Sequence, residues 1–362
     1  MIYNAIGVMS GSSLDGMDVA FAVLHEQAGM WQYEIQYTDC ISYPVSWKNK
    51  LLQSTYLPAK EYLLLHSEYG KLLGEKIKQF IEDKELHHKV SFIAVHGHTT
   101  FHLPKQGVSH QLGNGAMIAA ATRLPVITDL RSVDIAFGGE GAPIVPVGEK
   151  LLFGNYRYFL NLGGISNISI HSQDALIAYD VCPANKVLNR LAEDMGIVYD
   201  DKGDISSRGR IHENVLEKLN ELSYYGLPYP KSLANDFGTD LIYPLIKSFA
   251  LKTEDALRTY TEHICIQIAN ALKPFGQEDR QQLLITGGGA FNLFLIKVLQ
   301  EKLQQINFEI VIPDNETVKF KEALIMALLG ALRWREQYTV LSSATGAKRN
   351  SIGGAVWLGT EA

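Results

Sequence analysis

Short apolar runs broken by glycine turns alternate with longer stretches of helical spacing along the whole chain. Ala5 to Met9 is a buried-strand pattern, S-G-S-S-L-D-G from Ser10 to Gly16 is a turn, and Met17 to Leu24 is a second strand. Alternation from Trp31 to Tyr43 puts Trp31, Tyr33, Ile35 and Tyr37 on one face of a third strand. From Glu61 to Ile81 the residues Leu65, Tyr69, Leu72, Leu73, Ile77, Phe80 and Ile81 recur at helical spacing and predict an amphipathic helix. A strand over Val90 to Val95, an Ala-rich helix over Asn114 to Thr122 and a strand over Pro125 to Thr128 follow. The first lobe therefore reads βββαβαβ.

Asp129 to Pro146 has too many glycines and prolines for a regular element and is expected to be a long functional loop or crossover. Beyond it, Tyr158 to Ile170 (YFLNLGGISNISI) repeats the opening design of strand, glycine turn and strand, and a third strand over Ala175 to Tyr179 ends at Asp180. A helix is predicted from Pro183 and Asn185 to Met195, then an exposed loop over Val198 to Arg210, a short helix over Asn214 to Leu222 and an aromatic loop over Tyr224 to Phe237. Thr253 is expected to cap a helix that turns Leu257, Tyr260, Ile264, Ile268 and Leu272 inward. Gln282 to Phe291 reads as strand, three glycines and helix; Phe308 to Ile312 is a strand, Lys321 to Arg333 a helix, and the last stretch carries one final strand. One plan is used twice, with lobes expected at 1–130 and 131–340 and a segment 341–362 returning toward the first.

A chain of 362 residues exceeds the usual size of one core, which favours two domains with a cleft between them. Against 39 acidic residues stand 33 basic ones, a formal net charge of −6, which argues against a broad nucleic-acid or anionic-membrane surface. Cys40, Cys182 and Cys265 are few and scattered, as expected of reduced thiols in the cytoplasm. No basic-then-apolar leader and no run of transmembrane length is present, so membrane insertion and export are not expected.

Three glycine turns, each directly after a buried strand, carry the strongest chemical signal: Gly11 to Gly16, Gly163 to Asn167, and Gly287 to Gly289. Gly11 and Gly16 permit positive φ and close backbone approach, and Ser10, Ser12 and Ser13 add hydroxyls beside backbone N–H groups. Two such tips, with a third turn at a helix N-terminus, would clamp a polyphosphate, although an ordinary hairpin turn uses the same residues. Asp180 is either a proton acceptor at a strand end or the cap of the next helix. Glu322 reads most simply as a solvated first-turn residue. His96, His98 and His102 lack a carboxylate or thiol at ligand spacing, so hydrogen bonding is favoured over metal binding. Arg131 and Asp134 could bind an acidic substrate or form an ion pair, and Cys182 is by default a small buried thiol.

Several whole motifs, from about Ile6 to Gly353, resemble in order those of the anhydro-N-acetylmuramic acid kinases: MSGSSLDGMDVA, HGHT, DLRSVDIAFGGEGAPIVP, NLGGISNIS, YDVCPANKVLN, ITGGGAFN and KEALIMALLGAL. The resemblance implies an α/β, two-lobed actin-like ATPase (sugar kinase) fold and a cytoplasmic, ATP-dependent enzyme of peptidoglycan recycling, with a small amino sugar as substrate. That enzyme would open the 1,6-anhydro ring of anhydro-N-acetylmuramate with water and phosphorylate O6. By motif position Asp180 would be the general base. Gly11, Ser12, Ser13, Leu14, Asp15, Gly16 and Asp18 would hold the phosphates together with Gly163, Gly164 and Asn167. Gly287, Gly288 and Gly289 would lie along the adenosine, and Thr99, Arg131 and Glu322 would contact the sugar and its lactyl carboxylate. Mg²⁺ would bridge the phosphates with no dedicated protein cage, and a homodimer is implied.

This chain departs from the family at three places. Ser12 and Ser13 stand where GTSLDG is usual, Asp180 to Asn185 reads DVCPAN for DTGPGN, and Lys231 to Asp236 reads KSLAND for KSTGRE. The last two bear on which sugar is bound. A kinase of a neutral anhydro sugar such as levoglucosan, a nucleotide-dependent assembly module and, on GGGA alone, a dehydrogenase are the rival functions.

Overall fold

The opening apolar run becomes β1 (Ile2–Ser10), and because it lies at the middle of a sheet, Ala5, Ile6 and Val8 are buried on both faces. The computed structural model describes residues 1–11, 14, 16–172, 176–229, 231–234 and 236–359. These divide into two units, Met1–Gly154 with Phe320–Ala362, and Asn155–Lys319. Residues 131–154 and 320–340 thus belong with the first unit, not with the second as their position after the glycine-rich crossover suggested. Their apolar residues pack within it: Ile325 lies against Gly148, and Ala323 clusters with Ala20.

In the first unit β1 pairs antiparallel with β2 (Gly16–Gln27), and β2 with β3 (Met30–Ser42). Helices α1 (Val45–Leu52) and α2 (Ala59–Asp83) follow, and α2 buries the predicted stripe Leu65, Tyr69, Leu73, Ile77, Phe80 and Ile81. Strand β4 (Phe92–Val95) runs parallel to β1. The H-G-H-T-T-F-H stretch then forms an unforeseen hairpin of β5 (His98–Leu103) and β6 (Val108–Leu112). Helix α3 (Gly115–Thr122) starts at Asn114, whose side chain accepts the Met117 N–H, and leads to β7 (Val126–Thr128) parallel to β4. The stretch expected to be irregular holds one helix, α4 (Ser132–Ala136), and its end opens a second, α5 (Val145–Leu152).

The second unit repeats the design. β8 (Tyr158–Leu162), β9 (Ile165–His171) and β10 (Leu176–Pro183) form an antiparallel meander. The expected start of the third strand at Ala175 lies outside the described residues, and that strand continues past Asp180 to Pro183. Helices α6 (Asn185–Glu193), α7 (Glu213–Asn220), α8 (Tyr243–Lys247) and α9 (Thr253–Leu272) precede β11 (Gln281–Thr286), α10 (Leu293–Gln304) and β12 (Phe308–Val311). Thr253 is the first residue of α9 rather than its side-chain cap. The core is built from α6, α7, α9 and α10 against the sheet, with Leu257, Tyr260, Ile264, Ile268 and Leu272 inward as the spacing required.

The chain then enters α11 (Asn315–Trp334), a short α12 (Ser342–Thr345) and β13 (Ala355–Trp357), which pairs with β7. α11 starts six residues before its expected first residue, so Glu322 lies a full two turns inside it. The helix comes so near β1 that a Cβ at Gly7 would lie within 2.7 Å of the Ala327 nitrogen.

The sheets run β13-β7-β4-β1-β2-β3 and β10-β9-β8-β11-β12. In each, a three-stranded meander is extended from its first strand by two parallel strands, and this duplicated plan is the actin-like ATPase fold of the sugar kinases. Among the described residues no helix is long and apolar enough to cross a membrane.

Candidate active site

In the first unit the β1–β2 tip is framed by the pairs Ser10↔Met17 and Met9↔Asp18. Ser12, Ser13 and Asp15 lie outside the described residues. Positive φ is adopted not by Gly11 or Gly16 but by Leu14, at 58°, whose side chain is buried in the core and anchors the turn. Gly16 is required for another reason: a Cβ there would collide with the Ile41 carbonyl group of β3. Ser10 is not an outward donor, because its hydroxyl is buried between Tyr43 and Tyr69, each 3.0 Å away.

Beside this tip lies a cluster of charge. Glu322 is half-buried, not solvated. Burial raises its carboxyl above the usual range, Lys321 and Arg131 draw it back, and Asp18 and Glu149 push it further up. Lys321 and Glu149 form an almost fully buried ion pair at 2.8 Å. Burial brings the Arg131 guanidinium down to about 10 against the pull of Glu322 and Asp134. Arg131 donates from Nε to His96 Nε2 at 2.9 Å and from Nη1 to the Gly141 carbonyl oxygen at 2.7 Å. Thus Arg131, Glu322 and Asp18 are brought together. Thr99 is exposed on β5 and accepts from Gln111 Nε2 at 3.4 Å. His96 directly follows β4, whereas His98 opens β5 beyond the Gly97 turn, so the two do not share a strand face. Among the described residues no group of three or more His, Cys, Asp or Glu could hold a metal ion.

In the second unit the sheet register lines up one polar row at the C-terminal ends of the parallel strands β8 and β11. Asp180 on β10 faces Asn167 on β9, Asn167 faces Asn161 on β8, and Asn161 faces Thr286 on β11. Asp180 stands inside its strand at a bulge, with the register slipping between Asp180 and Cys182. It does not cap α6. Its Oδ2 accepts the Leu233 N–H at 2.9 Å, its N–H reaches the Lys231 carbonyl at 3.3 Å, and Tyr224 donates to its backbone oxygen at 2.6 Å. Burial raises its pKa above the ordinary 3.8 and the Leu233 N–H opposes the rise. Lys231 is stacked over the Tyr224 ring at 4.6 Å, and Tyr179 stacks on Tyr229. Asn235 of the same loop lies outside the described residues.

The carbonyl groups of Gly163 and Gly164 accept the N–H groups of Asn185, Ala184 and Lys186, which ties the β8–β9 turn to the start of α6. A Cβ on Gly164 would meet nothing closer than the Lys186 Cβ at 3.8 Å, so the turn's outer side is open. Gly287 takes φ 85°, and a Cβ there would strike Asn161 and the Leu162 carbonyl group. Gly288 and Gly289 open a 3-10 turn, Gly288–Phe291, and α10 begins only after Asn292, whose side chain caps it. The third glycine turn is therefore not itself a helix N-terminus. Asn185 donates to the Leu162 oxygen at 2.9 Å and joins the second and third turns, its side chain also lying against Gly288 and Gly289. Asn161 and Asn185 escaped the sequence reading, although N-L-G-G and P-A-N hold them beside residues it chose. Cys182 is fully buried beside Ser166, and burial lifts its thiol to about 12, which removes it as a nucleophile.

Duplicated units of this plan, each with a glycine turn after its first strand, define the actin-like sugar-kinase class of fold. A family model described as anhydro-N-acetylmuramic acid kinase matches residues 3–359. Relatives of that name from Francisella tularensis subsp. novicida and Sulfurovum sp. are 32% and 30% identical, covering 97% and 98% of this chain and the same shares of their own. Component A of the (R)-2-hydroxyglutaryl-CoA dehydratase of Acidaminococcus fermentans, a solved structure, covers 90% of this chain and 96% of its own at a TM-score of 0.47 and 12% identity. The chain belongs to the anhydro-N-acetylmuramic acid kinase family.

Proposed function

We propose that Asp180 is the general base of a reaction in which water opens the 1,6-anhydro ring of anhydro-N-acetylmuramate and ATP phosphorylates the freed O6. The observation that carries this reading is the fixed Asp180 carboxylate: one oxygen is held by the Leu233 N–H, so the other is left to take the proton. Water oxygen bonds to C1 as its proton passes to Asp180. The C1–O6 bond breaks with its electron pair on O6, O6 bonds to the γ-phosphorus, and ADP departs with the pair of the cleaved bridge bond. Gly11, Gly16, Gly163, Gly164 and Asn167 would contact the phosphates and Gly287 to Gly289 the adenosine. Thr99, Arg131 and Glu322 would bind the sugar.

The like-charged neighbours Asp18 and Glu322 suit a hydrated divalent cation that arrives on a nucleotide. Mg²⁺ would be carried there chiefly by the nucleotide, with Asp18 nearby, and would neutralise charge on its phosphate oxygens. A cytoplasmic homodimer completes the proposal.

ADP release measured with and without the anhydro sugar tests the reading. One ADP per sugar consumed, and none in its absence, is expected; sugar-independent turnover would favour an assembly module instead. The protonation state of Asp180 adds a pH signature. Only the carboxylate accepts a proton, and burial raises its pKa, so kcat/KM should climb with pH through a limb above the ordinary 3.8 and then level. A flat profile from pH 4 upward in a buffered rate series would count against Asp180 as the base.

A further inference from the structure

We propose that His96 is a positioning residue for Arg131, holding its guanidinium in the one plane that offers a forked pair of donors to the carboxylate of an acidic sugar. The proposal rests on the reading of Arg131 as the carboxylate-binding residue.

His96 is buried directly after β4, and both of its ring nitrogens are spoken for. Its Nδ1 lies 2.8 Å from the Gly97 oxygen, and Arg131 Nε lies 2.9 Å from its Nε2. A carbonyl can only accept and a guanidinium can only donate, so the hydrogen sits on Nδ1 and Nε2 is the bare acceptor. Burial and the Arg131 charge bring the imidazole down to about 3, so it keeps this neutral form throughout the working range. The Gly97 carbonyl therefore selects the tautomer that can receive Arg131.

A second contact fixes the rotation. Arg131 Nη1 donates to the Gly141 oxygen, and Gly141 is itself held by its N–H to Asp134 Oδ2 at 2.8 Å. Asp134 Oδ1 accepts the Thr345 hydroxyl at 2.8 Å. With Nε and one Nη1 hydrogen committed to the protein, the plane of the guanidinium is set. The Nη2 group and the second Nη1 hydrogen form the fork that a carboxylate takes in bidentate fashion. Arginine's rotamer freedom would otherwise have to be lost on binding.

The test compares His96→Asn, which keeps the donor to Gly97 but loses the acceptor for Arg131, with His96→Gln, which keeps an acceptor near the Nε2 position. KM and kcat are measured with anhydro-N-acetylmuramate, with a neutral anhydro sugar and with ATP, and Arg131→Ala serves as the reference. Expected for His96→Asn is a rise of about tenfold in KM for the acidic sugar, the size of one charge-assisted hydrogen bond. Its kcat and its KM for ATP and for the neutral sugar should stay within about threefold, and His96→Gln should restore most of the loss. In the Arg131→Ala background, His96→Asn should add nothing further. A KM unchanged in His96→Asn while Arg131→Ala raises it overturns the positioning role alone, as does an equal loss with all three ligands. If Arg131→Ala leaves KM for the acidic sugar unchanged, the carboxylate reading of Arg131 falls, and this proposal with it.

Discussion

Asp180→Asn should lower formation of the phosphorylated sugar by about 10³-fold, within the range that a positioned general base contributes. The substitution is chosen because it changes little else. The side-chain oxygen of asparagine can still accept the Leu233 N–H, the backbone contacts to Lys231 and Tyr224 do not involve the side chain, and the strand register with Asn167 is a backbone property. ATP binding and thermal stability should therefore survive, and the loss should fall on kcat. Mass-spectrometric product assay with parallel ATP titration separates the two. Retention of more than about a tenth of the rate would exclude Asp180 as the base.

Glu149→Ala is the second large effect, and it acts on the fold. Glu149 on α5 and Lys321 on α11 are 3% exposed each and 2.8 Å apart. Removing the carboxylate takes from the buried Lys321 ammonium its ion-pair partner at 2.8 Å in the interior of the first unit, at a cost of about 3 kcal/mol. For a domain of this size that corresponds to a fall of roughly 10 °C in Tm. The double variant Glu149→Leu/Lys321→Met should recover most of the loss, because it removes both desolvated charges at once. Thermal unfolding of the single and double variants checks this. The double variant should still bind the sugar less well, since the pair stands next to Glu322 and its removal alters the field at that carboxyl.

The strands and the long helix α2 were legible because their signal is local: Ile6, Val8 and the Leu65 to Ile81 stripe announce burial within a few residues of themselves. The β5–β6 hairpin was not, since H-T-T-F-H-L and V-S-H-Q-L are too polar to stand out from a loop. Helices α4 and α5 were hidden by the glycines and prolines around them, and Asp134, wholly buried, has no apolar signal to give. The lobe boundary moved for the same reason, because Gly148 and Ala323 reveal their packing only in three dimensions. The motifs singled out Asp180, Arg131 and Glu322, but what conditions each comes from far along the chain. Leu233 is 53 residues from Asp180, and His96 is 35 from Arg131. No pattern of spacing announces such partners. Glu322 was misread as solvated because α11 begins earlier than its apolar stripe does.

The most direct test of the central claim is a single turnover with ATP and anhydro-N-acetylmuramate in heavy-oxygen water, read by mass analysis before the anomeric hydroxyl can exchange. One heavy oxygen on C1 and an unlabelled ester oxygen joining C6 to the phosphate are predicted, because water attacks carbon and O6 attacks phosphorus. Heavy oxygen in inorganic phosphate, with the anhydro ring left intact, would contradict it.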